Sequence, residues 1–259
     1  MLNKAALLSA ITNLFWGGKF MDDFLNKYVF SYTNRYLGRA KENKYGLPVY
    51  TTAEEKLNTL SHAFGVLIGI GAVIASFIIP YSEFGKISGL IFGLSLIILY
   101  SVSATYHGIP MAFVKWKKRF RIMDHCSIFI LIAGTGTPLI LRQITKTTTN
   151  SEWLFYFLIW VLAVGGIILL CINLKKFNGL ATIMYVKMGI MLAIASGSLL
   201  HIIGPTGITL LLAGGLVYLV GFLFYGLGTR KEWMHAVFHI LCLVGSALHC
   251  VCIFGFVLA

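Results

Sequence analysis

From about residue 60 to the end of the chain, apolar residues come in long blocks with no period-two alternation. Seven blocks, at 60–80, 87–108, 122–141, 153–173, 180–202, 206–227 and 234–257, are each long enough to cross a bilayer, which takes about 20 residues of helix. The fifth and sixth are separated only by Gly204-Pro205. An outer-membrane barrel would show short alternating strands instead. Lipid cannot satisfy an open strand edge, so the blocks predict helices. The expected fold is an all-α, seven-transmembrane helix bundle over residues 54–259, preceded by a tail over residues 1–53.

Composition supports this and excludes other classes. Hydrophobic residues make up 58% of the 259 and charged residues 12%, against roughly 25% charged in an ordinary soluble domain. A solvated disordered chain is excluded by the same apolar fraction. The formal charge is +12, and its distribution matters more than its size. The segment before the first block and the loops after the second, fourth and sixth blocks hold 17 of the 21 basic residues. The opposite side has Lys86, Arg142 and Lys146, and Lys187 lies within the fifth block. The positive-inside rule then places the N-terminus in the cytoplasm and the C-terminus outside, in a multi-pass protein of the cell membrane. The basic excess is accounted for without a nucleic-acid partner. Five cysteines, at 126, 171, 242, 250 and 252, form no CxxC pair and read as small hydrophobes.

In the tail, Leu7, Leu8, Ile11, Leu14 and Phe15 recur at helical spacing, with Lys4, Ser9, Thr12 and Asn13 turned away. This pattern predicts an amphipathic helix lying on the cytoplasmic leaflet. Tyr28, Phe30, Tyr32 and Tyr36, mixed with basic residues, suit the same interface.

Ionisable groups inside membrane helices are costly and mark functional interiors. With the orientation set, they gather at the cytoplasmic end of four helices. Glu55, Asn58 and His62 share one face of the first. Ser103 and His107 close the second, Asp124 and His125 open the third, and His235 and His239 open the seventh. All fall within about 15 Å of the boundary at 1.5 Å per residue. His235 and His239, at i and i+4, present two imidazoles on one helix face, and His107 from a facing helix supplies a third. Three imidazoles with an open fourth position are how zinc activates water. Asp124 is the candidate general base and Ser103 its hydroxyl neighbour, while Glu55, Asn58 and His62 form a supporting layer. His201 and His249 are left with bundle hydrogen bonds. Lys187 can snorkel, approach the polar cluster or meet an anionic lipid. The glycines of the blocks permit close helix approach, and Pro138 follows Gly-Thr-Gly-Thr near the outer end of the third.

Several motifs in order resemble the hemolysin III branch of the progestin and adipoQ receptor family. They are Glu55-x-x-Asn58-x-x-Ser61-His62-x-x-Gly65, Ser103-x-x-Tyr106-His107, and Asp124-His125-x-x-Ile128 followed by Ile132 through Pro138. Gly214-Gly215-x-x-Tyr218-x-x-Gly221-x-x-x-Tyr225 and His235-x-x-x-His239 with Gly245 and His249 complete the set. The resemblance covers about residues 54–255 and leaves the tail out. It implies seven helices, a cytoplasmic N-terminus and a zinc ion held by His107, His235 and His239, with Asp124 and Ser103 completing the polar site. It also links the chain to alkaline ceramidases and to bacterial membrane homeostasis. Gly136 stands where the family usually has tyrosine, and Lys187 where an apolar residue is expected.

The expected function is a zinc-dependent, ceramidase-like hydrolase of lipid amides. The alternatives are a receptor or sensor with structural zinc and a membrane-lipid ligand, or a lytic pore. The pore fits least, since the polar groups sit at one end and line no full-length path.

Overall fold

A computed structural model describes residues 42–79, 82–144, 151–195 and 199–259, so the surface helix expected over residues 7–15 lies outside the described residues. Contacts divide the chain into two units, Met1–Val49 and Tyr50–Ala259. In the first, residues 42–49 form a turn closed by a bridge between Glu42 and Pro48, with the Asn43 side chain accepting from the amides of Tyr45 and Leu47.

The second unit is helical throughout, and no strand occurs among the described residues. Helix α1 spans Thr52–Ile78. Thr51 caps it, its hydroxyl accepting from the Glu54 amide while the Glu54 carboxylate accepts from the Thr51 amide. Such a reciprocal cap contributes about 1 kcal/mol. Helix α2 spans Glu83–Gly108, capped by Ser82. A 3-10 turn at Met111–Phe113 leads into α3, Val114–Ile144. Helix α4 is Ser151–Ala195, α5 is Leu200–Gly228, and α6 is Met234–Cys252 with a π-helical turn after it at Ile253–Val257.

Six of these helices are long and apolar enough to cross a membrane. The fourth, α4, has 45 residues and a break at Asn173 (φ −163°, ψ 94°). Before the break, Trp160 meets Thr137 and the Ile167 carbonyl meets Cys126, so this arm runs against α3. Beyond it, Tyr185 meets His125 and Ala195 meets Gln143, so the second arm runs along α3. The chain therefore reverses at Asn173, whose side chain accepts from the Lys176 amide as an N-cap.

This corrects one boundary. Hydropathy placed the fifth block at 180–202, but the second arm begins directly after Asn173 and ends at Ala195. Asn173 terminates one helix and caps the next, so Lys175 and Lys176 are helical although their charge reads as a loop. Gly204-Pro205 is therefore not the boundary between the fifth and sixth spans: Gly204, with φ 68°, kinks α5 one turn after its start at Leu200.

Outward faces are apolar at helical spacing. Leu60, Phe64, Leu67 and Ile74 on α1 are exposed, as are Phe157, Val161, Val164 and Ile168 on α4. A soluble monomer does not tolerate apolar bands of this extent; in lipid they cost nothing. Inward, Phe92, Leu96 and Tyr100 of α2 pack with Leu131 and Leu139 of α3 and with Ile253. Helices α1 and α2 approach closely because Gly65 lies against the Tyr100 ring, where a Cβ would collide.

Candidate metal centre

Four helix ends build the site. His107 lies in the last turn of α2, His235 and His239 lie in the first two turns of α6, and α1 and α3 begin beside them. All three imidazoles are buried. His235 Nε2 lies 3.3 Å from His107 Nε2 and 3.0 Å from His239 Nε2. One ligand atom from each lies within 4.8 Å of the others, so the group could hold a metal ion.

The donor set fits a metal. Three neutral imidazole nitrogens facing one another repel unless a proton or a cation sits between them. Two ligands bound tetrahedrally at about 2.0–2.1 Å stand about 3.3 Å apart, close to both separations above. The tautomer of His107 is fixed as well. Its Nδ1 donates to Glu55 Oε2 at 2.6 Å, which leaves the Nε2 lone pair facing the group. A carboxylate behind a ligating histidine orients the ring and raises its basicity.

The supporting layer comes from α1. Glu55 holds His107 with one oxygen and accepts from Lys117 Nζ with the other, at 2.8 Å. The Asn58 amide stands 3.5 Å from His107 Nδ1. His62 stacks on His239, with centroids 3.7 Å apart and planes at 18°, and meets Tyr100 edge-on.

The structure corrects the treatment of Lys117, which a charge count assigns to a loop. It is 3% exposed in the first turn of α3 and donates to Glu55 and to the carbonyls of Tyr106, His107 and Ile109. Those carbonyls lie at or just past the C-terminus of α2, where a helix leaves its acceptors unsatisfied. One ammonium thus neutralises Glu55 and completes α2. Charge counting cannot see this, because it treats every lysine between blocks as solvated.

Asp124 is not in the imidazole group; the Ser103 hydroxyl is its side-chain hydrogen-bonding neighbour. Both line a cavity of about 290 Å³, together with His235 and His239. The rest of that wall is mostly apolar, with Leu131 and Ile132 on α3, Ile190 and Ala193 on α4, and Leu212 and Leu216 on α5. His125 faces a neighbouring helix. Its Nδ1 donates to the Arg121 carbonyl at 2.8 Å, leaving Nε2 to accept from the Tyr225 hydroxyl at 3.1 Å. His249 donates to the Leu211 carbonyl, while His201 and Lys187 are exposed.

Sequence reading missed Tyr50. Its ring stacks on His235, 4.9 Å between centroids and 29° between planes, and stands 5.6 Å from His107. Burial pushes its phenol well above the usual range, so it is a neutral hydroxyl. The available signal is its place directly before the capping box Thr51-x-x-Glu54, where a large apolar residue commonly folds back onto the helix.

Comparison with known proteins finds chains similar to this one over most of its length. The model of the family described as Haemolysin-III related matches residues 50–250. The chain is 35% identical over 209 residues to Hemolysin-3 of Bacillus cereus, covering 79% of this chain and 92% of that protein. It is 35% identical to the Hemolysin-3 homolog of Bacillus subtilis (strain 168), covering 79% and 95%. With the monocyte to macrophage differentiation factor of Homo sapiens it shares 27% over 211 residues, 77% of this chain and 82% of that one.

Proposed function

The chain belongs to the haemolysin-III related family, and from that premise we propose that it is a zinc-dependent hydrolase of membrane-lipid amides or esters, serving membrane lipid homeostasis. The observation that carries the reading is the meeting of three elements. A carboxylate-oriented imidazole triad abuts a mostly apolar cavity, and that cavity has a carboxyl group in its wall.

We place the protein in the cell membrane with both arms of α4 crossing, which gives seven crossings and a cytoplasmic N-terminus. The basic residues before α1 and at the start of α3 support that direction. The triad then lies in the cytoplasmic leaflet.

A zinc ion held by His107, His235 and His239 would supply Lewis-acid polarisation of a lipid carbonyl. The chain does the rest. Cavity walls from α3, α4 and α5 hold the acyl chain and exclude bulk water. Asp124 takes a proton from the attacking water and returns it to the leaving amine or alcohol. Ser103 keeps the Asp124 carboxyl turned toward the cavity. Glu55 and Lys117 hold His107 in its ligating tautomer.

A sensor is the second reading, and the position of Asp124 outside the imidazole group favours it. In that case the metal is structural, and lipid in the cavity shifts the bundle between states. Turnover of a panel of lipid amides and esters by the purified protein separates the two. Hydrolysis that is lost in Asp124→Ala with zinc retained supports the enzyme. Absence of turnover across the panel, with lipid still bound, supports the sensor.

A further inference from the structure

The proposed chemistry makes no use of Tyr50, yet its ring covers two of the three candidate ligands at the end of the bundle where α1 and α6 begin. Tyr106 and Tyr225 close the neighbouring sides, with centroids 4.6 Å from His107 and 6.0 Å from His235. Tyr50 alone of the three lies outside a long helix, so it can swing away without moving one.

Its resting place is fixed by a latch. Thr51, the next residue, donates its amide to Glu54 Oε2 at 2.8 Å. The other oxygen of the same carboxylate accepts the Trp233 amide at 2.6 Å. Trp233 stands directly before α6 in the left-handed region (φ 66°), a conformation uncommon for a bulky residue. Glu54 is 2% exposed. One buried carboxylate thus joins the start of α1 to the start of α6 and seats the ring between them on His235. A simple N-cap needs only the contact within α1.

We infer that Tyr50 is a lid over the metal centre, latched by Glu54, and that its opening sets the rate at which the ion exchanges with solution. The inference rests on the metal reading above and concerns access to the site, not the chemistry within it. It requires the ring and not the hydroxyl, because the contact with His235 is a stack.

The test is the rate of zinc transfer from the full-length, zinc-loaded protein in detergent to a colorimetric chelator. Tyr50→Ala and Glu54→Ala should each release zinc about tenfold faster than wild type, while Tyr50→Phe stays within about twofold. Zinc content before chelator addition should be unchanged in all three. Release from Tyr50→Ala at the wild-type rate overturns the lid. Release from Tyr50→Phe as fast as from Tyr50→Ala overturns it too, since the phenol would then be the active part. Should Tyr50→Ala fail to purify as a folded protein, Tyr50→Val takes its place with the same two outcomes. A wild-type protein that cannot be loaded with zinc defeats the metal reading itself, and the lid falls with it before any rate is compared.

Discussion

Glu55 and His107 meet at 2.6 Å across α1 and α2, although 52 positions separate them in the chain. The contact turns an ordinary helix-end histidine into a ring with one tautomer and one direction. Glu55→Gln should therefore weaken zinc binding by about 10–100-fold, read by competition with a chelator of known affinity. An unchanged affinity would mean that the carboxylate only solvates Lys117.

Lys117 is the other half of that arrangement. Replacing it with alanine removes a buried cation from Glu55 and strips three carbonyls at the end of α2 of their donor. A loss of about 3–5 kcal/mol is expected, seen as a marked drop in melting temperature in detergent. Alanine at Lys118, outside this contact set, is the control and should change little.

Gly65 tests the packing. A Cβ at this position enters the Tyr100 ring, which is fully buried and donates from its hydroxyl to the Cys242 carbonyl. Gly65→Ala should destabilise by about 1–3 kcal/mol, measured by thermal unfolding. Gly71→Ala, with nothing within 4 Å of the added atom, should cost little or stabilise.

Metal removal has a direct thermal signature. An ion bound only by the folded bundle stabilises it by mass action. Chelation should lower the melting temperature of wild type and leave that of His235→Ala/His239→Ala unchanged. Equal shifts in both proteins would place the ion elsewhere.

Much of this was readable from the residues, for reasons that differ by element. The apolar blocks were legible because a bilayer demands length and tolerates few charges. The pairing of His235 with His239 was legible because i, i+4 spacing fixes one helix face, and the charge bias brought His107 to the same end. The reversal at Asn173 was not, because hydropathy measures burial in lipid while a cap works through one side-chain hydrogen bond. Lys117 was hidden for a related reason: a charge count cannot tell a solvated lysine from one folded onto helix-end carbonyls. Tyr50 lies outside every block, and its stack on His235 depends on a latch to Trp233, 179 positions from Glu54. Gly136 leaves no room for a larger side chain, because Leu192 and Ile159 occupy that space.

Whether His107, His235 and His239 hold one zinc ion together is decided by elemental analysis of the purified full-length chain. Zinc equimolar with wild-type protein is expected, and none above background in His235→Ala/His239→Ala. Wild-type protein free of zinc after purification and reloading, or a double variant with undiminished zinc, would contradict it.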